Sequence, residues 1–188
     1  RLLRRKKARV HVLLLASVAE LSRDAKAMYQ RFHRTAGLSS ITRPPDTNAL
    51  QQRLTPSDII IDAILGTGLS TPVSGLYRDA IDTINAAARL TVAVDLPSGL
   101  HADTGAIQGA AVRADLTVTC GLPKAGLYCG AGIDCAGLVR LADIGIPPSF
   151  ADAVGSRLLL LTAASAQAAL PARRPSSHKG TYGHLGII

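Results

Sequence analysis

Hydrophobic residues along this chain follow two rhythms. Short unbroken apolar runs alternate with longer stretches in which apolar positions return every three or four residues. The first rhythm marks buried strands and the second amphipathic helices. Residues 10–15 read as a strand, and residues 20–35 as a helix with Leu21, Ala25, Met28 and Phe32 along one face. Residues 40–42 form a short strand candidate ahead of Pro44 and Pro45, and residues 49–54 a short helix. A strongly apolar strand follows at 59–65, then a helix at 77–89 and a strand at 90–94. Residues 116–119 and 138–141 complete the main strands, with 158–161 a further candidate. Apolar strands alternating with helices predict an α/β domain built on a mainly parallel sheet. Such a sheet binds its ligands beyond the carboxyl ends of its strands. Near Pro171 the pattern breaks, and residues 171–177 (PARRPSS) read as a linker.

With 188 residues, 47% of them apolar, one domain has enough material for a sizeable core. The chain has no Trp, two Phe and four Tyr, so Ala, Val, Ile and Leu must fill that core. Stacking platforms for single-stranded nucleic acid are not expected. No apolar run reaches the roughly 18 residues of a spanning helix, and no membrane partner is expected. A mean hydropathy of +0.23 with 18% charged residues excludes intrinsic disorder.

The net charge of +8 matters only once it is located. Six of the first nine residues are basic, and Arg173, Arg174 and Lys179 add three near the end. Residues 10–170 hold twelve basic residues against all thirteen acidic ones. The body is close to neutral, so no specific nucleic-acid partner is expected. The opening imitates a secretory signal, but its apolar residues run into the next helix without a break in composition, and the strand reading is favoured. Cys120, Cys129 and Cys135 are an odd number and match no zinc spacing. They read as reduced cysteines of a cytoplasmic protein.

Two strands end alike. Asp62 closes Ile59, Ile60 and Ile61, and the loop Gly66, Thr67, Gly68, Leu69, Ser70, Thr71, Pro72 follows. Asp95 closes the run 91–94, and Pro97, Ser98 and Gly99 follow. A carboxylate at a strand's carboxyl end, then a glycine loop, presents polar groups where an α/β sheet meets its ligand. Gly66 and Gly68 permit close backbone approach and free N–H groups for anionic oxygens. One such loop alone is better read as a capped turn in which glycine supplies a positive φ. Two on separate parallel strands meet at one edge of the sheet and favour a site.

Four segments carry a closer resemblance: DIIIDAILGTGLSTPVSG from Asp58, VAVDLPSGLHADTG from Val92, AVRADLTVTCGLPKAG from Ala111 and ADIGIP from Ala142. In order and spacing they resemble the NAD(P)H-hydrate epimerase domain, a three-layer Rossmann-like α/β fold. Residues 1–57 resemble its preceding part more loosely, best at residues 21–25. The ending His178-Lys179-Gly180-Thr181-Tyr182-Gly183 resembles the opening of an ADP- or ATP-dependent NAD(P)H-hydrate dehydratase, a ribokinase-like domain. The resemblance thus implies an epimerase domain over 1–170, then a linker and first dehydratase strand over 171–188. The family's domain opens with a helix-rich segment and an Asn-Asn-Gly-Gly-Asp-Gly loop without counterpart here, so the expected epimerase domain is N-terminally truncated.

What the family does is repair nicotinamide cofactors damaged by hydration. The epimerase interconverts the R and S forms of NADH hydrate and NADPH hydrate, and the dehydratase removes water from the S form at the cost of a nucleotide. By resemblance, Asp62 and Ser98 match potassium-site positions, residues 66–72 the substrate loop, and Asp95 a substrate-binding aspartate. Hard oxygen donors of this kind suit potassium. Inverting the hydrated carbon needs a proton donor and acceptor, which makes Asp95 the catalytic candidate. Lys124, the only lysine between residues 27 and 178, is the candidate for positive charge beside it and reads equally as a solvated turn. His101 reads as a loop-surface residue, and Thr119 and Tyr128 as candidates to line the same edge. ADP or ATP belongs to the dehydratase half, and a homo-oligomer is left open. The alternative is a nucleotide-binding module or inactive fragment of the same fold without turnover.

Overall fold

The computed structural model describes residues 8–33, 39–42, 47–147, 149–150, 153, 155, 158–170 and 172–183. The chain forms two compact units, Arg1–Ile146 and Pro147–Ile188. In the first, the order is β1 (His11–Leu13), α1 (Arg23–His33), β2 (Ser39–Thr42), α2 (Thr47–Leu54), β3 (Ile59–Asp62), α3 (Gly75–Ala86), β4 (Leu90–Val94), β5 (Leu116–Cys120), α4 (Gly132–Cys135) and β6 (Leu138–Ala142). Strands β3-β4-β5-β6 form one parallel sheet in that order, and β1 and β2 form a separate parallel pair. This is the α/β, mainly parallel fold that the alternating pattern predicts.

Several boundaries differ from expectation for local reasons. The run 59–65 stops being a strand at Asp62, whose Oδ1 accepts the Ile64 N–H and turns the chain. Helix α3 begins two residues before the expected 77–89 and ends early, because Ala88 has a left-handed φ of +48°. In α1 the partly buried positions are Ala25, Tyr29 and Phe32, with Leu21 just ahead of the helix, while Met28 faces solvent. At 100° per residue, positions 28 and 29 lie about 50° to either side of the line through Ala25 and Phe32, so the spacing does not choose between them and packing does. Ser22 Oγ accepts the Ala25 N–H and caps this helix. Residues 158–161 form no strand with the described residues. Residues 1–7, 34–38 and 184–188, the last holding the expected dehydratase strand, lie outside the described residues.

One face of the four-stranded sheet is covered. Ile60 and Ala93 lie beneath α2 and α3, whose Leu50, Leu54, Ala80, Ile81 and Ile84 are buried. A second cluster around Leu96, Leu100 and Leu127 anchors the loops after β4 and β5. On the opposite face, Ile59, Ile61, Leu90, Val94 and Leu138 each keep roughly half their surface exposed. In the second unit, α5 (Ala163–Ala169) is capped by Thr162 Oγ1, which accepts the Ser165 N–H. Further along, Arg173 lies 5.6 Å over the Tyr182 ring, and the Tyr182 hydroxyl accepts the Arg174 N–H.

Candidate functional site

All four strands of the main sheet run the same way, so Asp62, Asp95, Ser98 and Lys124 collect at one edge. Two polar knots form there. In the first, Ser98 Oγ donates to Asp62 Oδ1 at 2.6 Å and the Ser98 N–H to Asp62 Oδ2 at 2.8 Å. The Leu65 N–H donates in turn to Ser98 Oγ at 2.8 Å. Asp62 is 1% exposed and Ser98 wholly buried. Burial pushes the Asp62 carboxyl up, and the Ser98 and Ile64 donors only partly oppose this. No Lys or Arg pairs with Asp62 among the described residues.

That combination fits a hard monovalent cation. A buried carboxylate without a counter-charge, beside a hydroxyl and the Leu65 carbonyl 3.2 Å from Ser98 Oγ, is an oxygen donor set without softer ligands. Among the described residues no three His, Cys, Asp or Glu side chains gather to hold a metal. The donor set rests on a single carboxylate, with hydroxyl and carbonyl oxygens around it.

The second knot centres on Asp95, which sits at a left-handed φ of +70°. This turn aims its carboxylate at the end of β5. Oδ1 accepts from Thr119 Oγ1 (3.3 Å), the Cys120 N–H (2.9 Å) and Lys124 Nζ (2.5 Å). Lys124 Nζ also donates to the Cys120 carbonyl at 2.7 Å. Burial alone raises the Asp95 carboxyl, but the hydrogen bonds from Lys124, Cys120 and Thr119 and the Lys124 charge outweigh it. The group therefore lies below its ordinary range. Asp95 is a carboxylate at neutral pH, and Lys124 is its partner rather than a solvated turn residue.

The 66–72 loop connects β3 to α3 and is mostly exposed. Gly66 and Gly68 do not have left-handed φ values, and an added Cβ meets nothing within 4 Å at either. The Leu69 N–H and the Gly66 carbonyl close a turn here, but the fold does not require glycine for it, which removes the positive-φ explanation for both. Helix α3 follows, and Ser74 at its start makes no side-chain cap. The loop's end is pinned where the Val73 N–H donates to the Gln108 carbonyl.

The remaining candidates separate clearly. Thr119 belongs to the Asp95 knot, whereas the Tyr128 backbone only closes the short turn at Ala125–Leu127. His101 Nδ1 accepts the Asp103 and Thr104 N–H groups, so the ring closes its own loop, in line with a structural role. Sequence reasoning misses the Cys120 backbone, which holds both Asp95 and Lys124. Its only signal is position, as the last residue of β5.

Residues 1–126 match the family model described as YjeF-related protein N-terminus. The chain belongs to this family. Its relatives include the bifunctional NAD(P)H-hydrate repair enzyme Nnr of Thermofilum pendens, 38% identical over 176 residues, 94% of this chain and 33% of that protein. The protein of the same name from Moorella thermoacetica is 40% identical over 179 residues, 95% of this chain and 34% of its own length. The NAD(P)H-hydrate epimerase of Levilactobacillus brevis is 49% identical over 102 residues, 54% of this chain and 47% of its own. The chain thus spans about a third of the bifunctional relatives' length.

Proposed function

We propose that this chain carries the epimerase part of a nicotinamide-hydrate repair enzyme and interconverts the R and S forms of NADH hydrate and NADPH hydrate. The observation that carries this reading is the Asp95–Lys124 pair at the carboxyl edge of the sheet, in a family whose relatives bear this activity in their names. An ionised carboxylate and an ammonium side by side supply the proton acceptor and donor that inversion at a hydroxylated carbon needs. The 66–72 loop, with two glycines the fold leaves optional and the N-terminus of α3 behind it, suits the substrate's phosphates.

Asp62 and Ser98 are assigned to a potassium ion, which when bound supplies positive charge beside the substrate loop. Residues 1–170 are read as the epimerase domain. Residues 171–188 are read as linker and first strand of a dehydratase domain, whose nucleotide is ADP or ATP. That reading is supported by bifunctional relatives that align over nearly the whole chain. Three free cysteines favour a reducing compartment, here taken as the cytoplasm.

The experiment is to incubate the chain with R-hydrate and potassium and follow the S form by chromatography. Interconversion above the spontaneous rate, lost in Asp95→Asn, is the expected result. Binding of hydrate without interconversion would instead make the chain a nucleotide-binding module.

A further inference from the structure

Lys124 Nζ carries three protons. One goes to Asp95 Oδ1 and one to the Cys120 carbonyl, which leaves the third without an acceptor among the described residues. On Asp95, all three donors converge on Oδ1. Oδ2 accepts from none of the described residues. The Asp95 side chain keeps 27% of its surface and that of Lys124 19%, so both remain partly open at the edge of the sheet. A base atom and an acid atom therefore stand together on one side of the site.

The chemistry of the hydrate decides what such a pair can do, on the reading of the substrate proposed above. In a reduced nicotinamide, the ring nitrogen's lone pair makes the adjoining double bond an enamine. Protonation at the far carbon and addition of water at the near one put the hydroxyl on the carbon bonded to the ring nitrogen. Two routes invert that carbon. In the first, the hydroxyl leaves as water and another water adds to the opposite face, which needs an acid on one face and a base on the other. In the second, the ring opens. The hydroxyl loses its proton, the O–H electron pair becomes the second C=O bond, and the C–N bond breaks with its pair going to nitrogen. Nitrogen then takes a proton, the aldehyde rotates, and the reverse steps close the ring on its other face.

The second route moves protons at two atoms bonded to the same carbon, about 2.4 Å apart with ordinary bond lengths. Adjacent acid and base groups match that separation, and do not match two opposite faces of a ring. We propose that inversion proceeds by ring opening, with Asp95 Oδ2 accepting the hydroxyl proton and Lys124 Nζ protonating the ring nitrogen. On closure Asp95 returns its proton to the oxygen and Lys124 recovers its own from the nitrogen. No water, oxidant or nucleotide is consumed, and the oxygen stays on its carbon throughout.

The experiment is R-to-S interconversion by this chain in ¹⁸O-labelled water, with the epimer ratio read by chromatography and the hydrate mass by spectrometry. Ring opening predicts that the epimers equilibrate while label uptake stays far below one oxygen per inversion. One solvent oxygen gained per inversion overturns ring opening and leaves the epimerase reading standing. An absence of accelerated interconversion overturns both.

Discussion

Asp95 is held at φ +70°, a region that asparagine and aspartate visit far more readily than other non-glycine residues. Asp95→Asn therefore keeps the backbone and most of the side chain's size, and removes only the charge and the basic lone pair. Epimerisation should fall by about 10²–10⁴. The melting temperature should shift little, because a partly exposed ion pair is worth roughly 1 kcal/mol or less. Rate and circular-dichroism melting of the same samples check both halves, and parent-like turnover removes Asp95 from the chemistry.

The depressed Asp95 carboxyl also fixes a sign. Its hydrogen bonds favour the carboxylate, so their contribution to stability is present above the unfolded-state value and lost as pH falls through the folded one. Activity that needs the carboxylate should accordingly persist below the ordinary aspartate range. Thr119→Val removes one donor to Oδ1 and should move the acid limb of kcat/KM to higher pH. A limb that stays in place would deny Thr119 any part in holding the charge. Gly66 and Gly68 give a complementary expectation. Alanine fits both positions without a clash and restricts the unfolded chain, so stability should hold or rise by about 0.4–1 kcal/mol. If the loop holds phosphate, KM should rise while the melting point does not fall. At this scale Asp62 and Asp95 are conspicuous in the sequence as carboxylates after apolar runs, whereas Ser98 is reached through the resemblance and Lys124 as the only lysine between residues 27 and 178. The Cys120 N–H and carbonyl are not legible, since every residue carries the same backbone groups.

Between elements, the link that matters runs from α3 to the buried Ser98. The Asn85 side chain donates to the Ala111 carbonyl at 2.9 Å and accepts the Arg113 N–H at 2.8 Å. Between them, the Val112 N–H donates to the Ser98 carbonyl at 2.9 Å. Asn85 thus clamps the stretch that backs the Asp62–Ser98 knot. Asn85→Ala strands both backbone groups and should cost about 1–3 kcal/mol, read by denaturant titration. An unchanged midpoint would mean that water replaces the amide fully. Nothing in the sequence singles out Asn85, because its partners lie 26 and 28 positions away. Strand order follows the chain, since β3, β4, β5 and β6 are neighbours in that order. Helix ends are poorly legible, since α3 stops on the conformation of Ala88, a residue whose composition argues for continuing.

For the molecule as a whole, charge and hydrophobicity are unevenly spread. The +8 sits at the two ends, and the body between them is close to neutral. Among the described residues no helix is long and apolar enough to cross a membrane. The apolar runs that make the strands so easy to read also hide something. Alternation between two faces cannot be seen in a continuous run of isoleucine and valine, so the sequence reads as strands covered on both sides. In the structure one face is covered, and Ile59, Ile61, Leu90, Val94 and Leu138 stand about half exposed on the other.

That open face has a calorimetric consequence. Unfolding normally takes up heat capacity because apolar area meets water for the first time, at about 0.45 cal/K/mol per Å². Area that is wet before unfolding adds nothing to that increment. Scanning calorimetry of this chain should therefore return less than the typical 12–15 or so cal/mol/K per residue. A value within or above that range would mean that the face is dry in solution. The increment also sets how sharply stability bends with temperature, so the folded state should lose comparatively little of its stability on cooling.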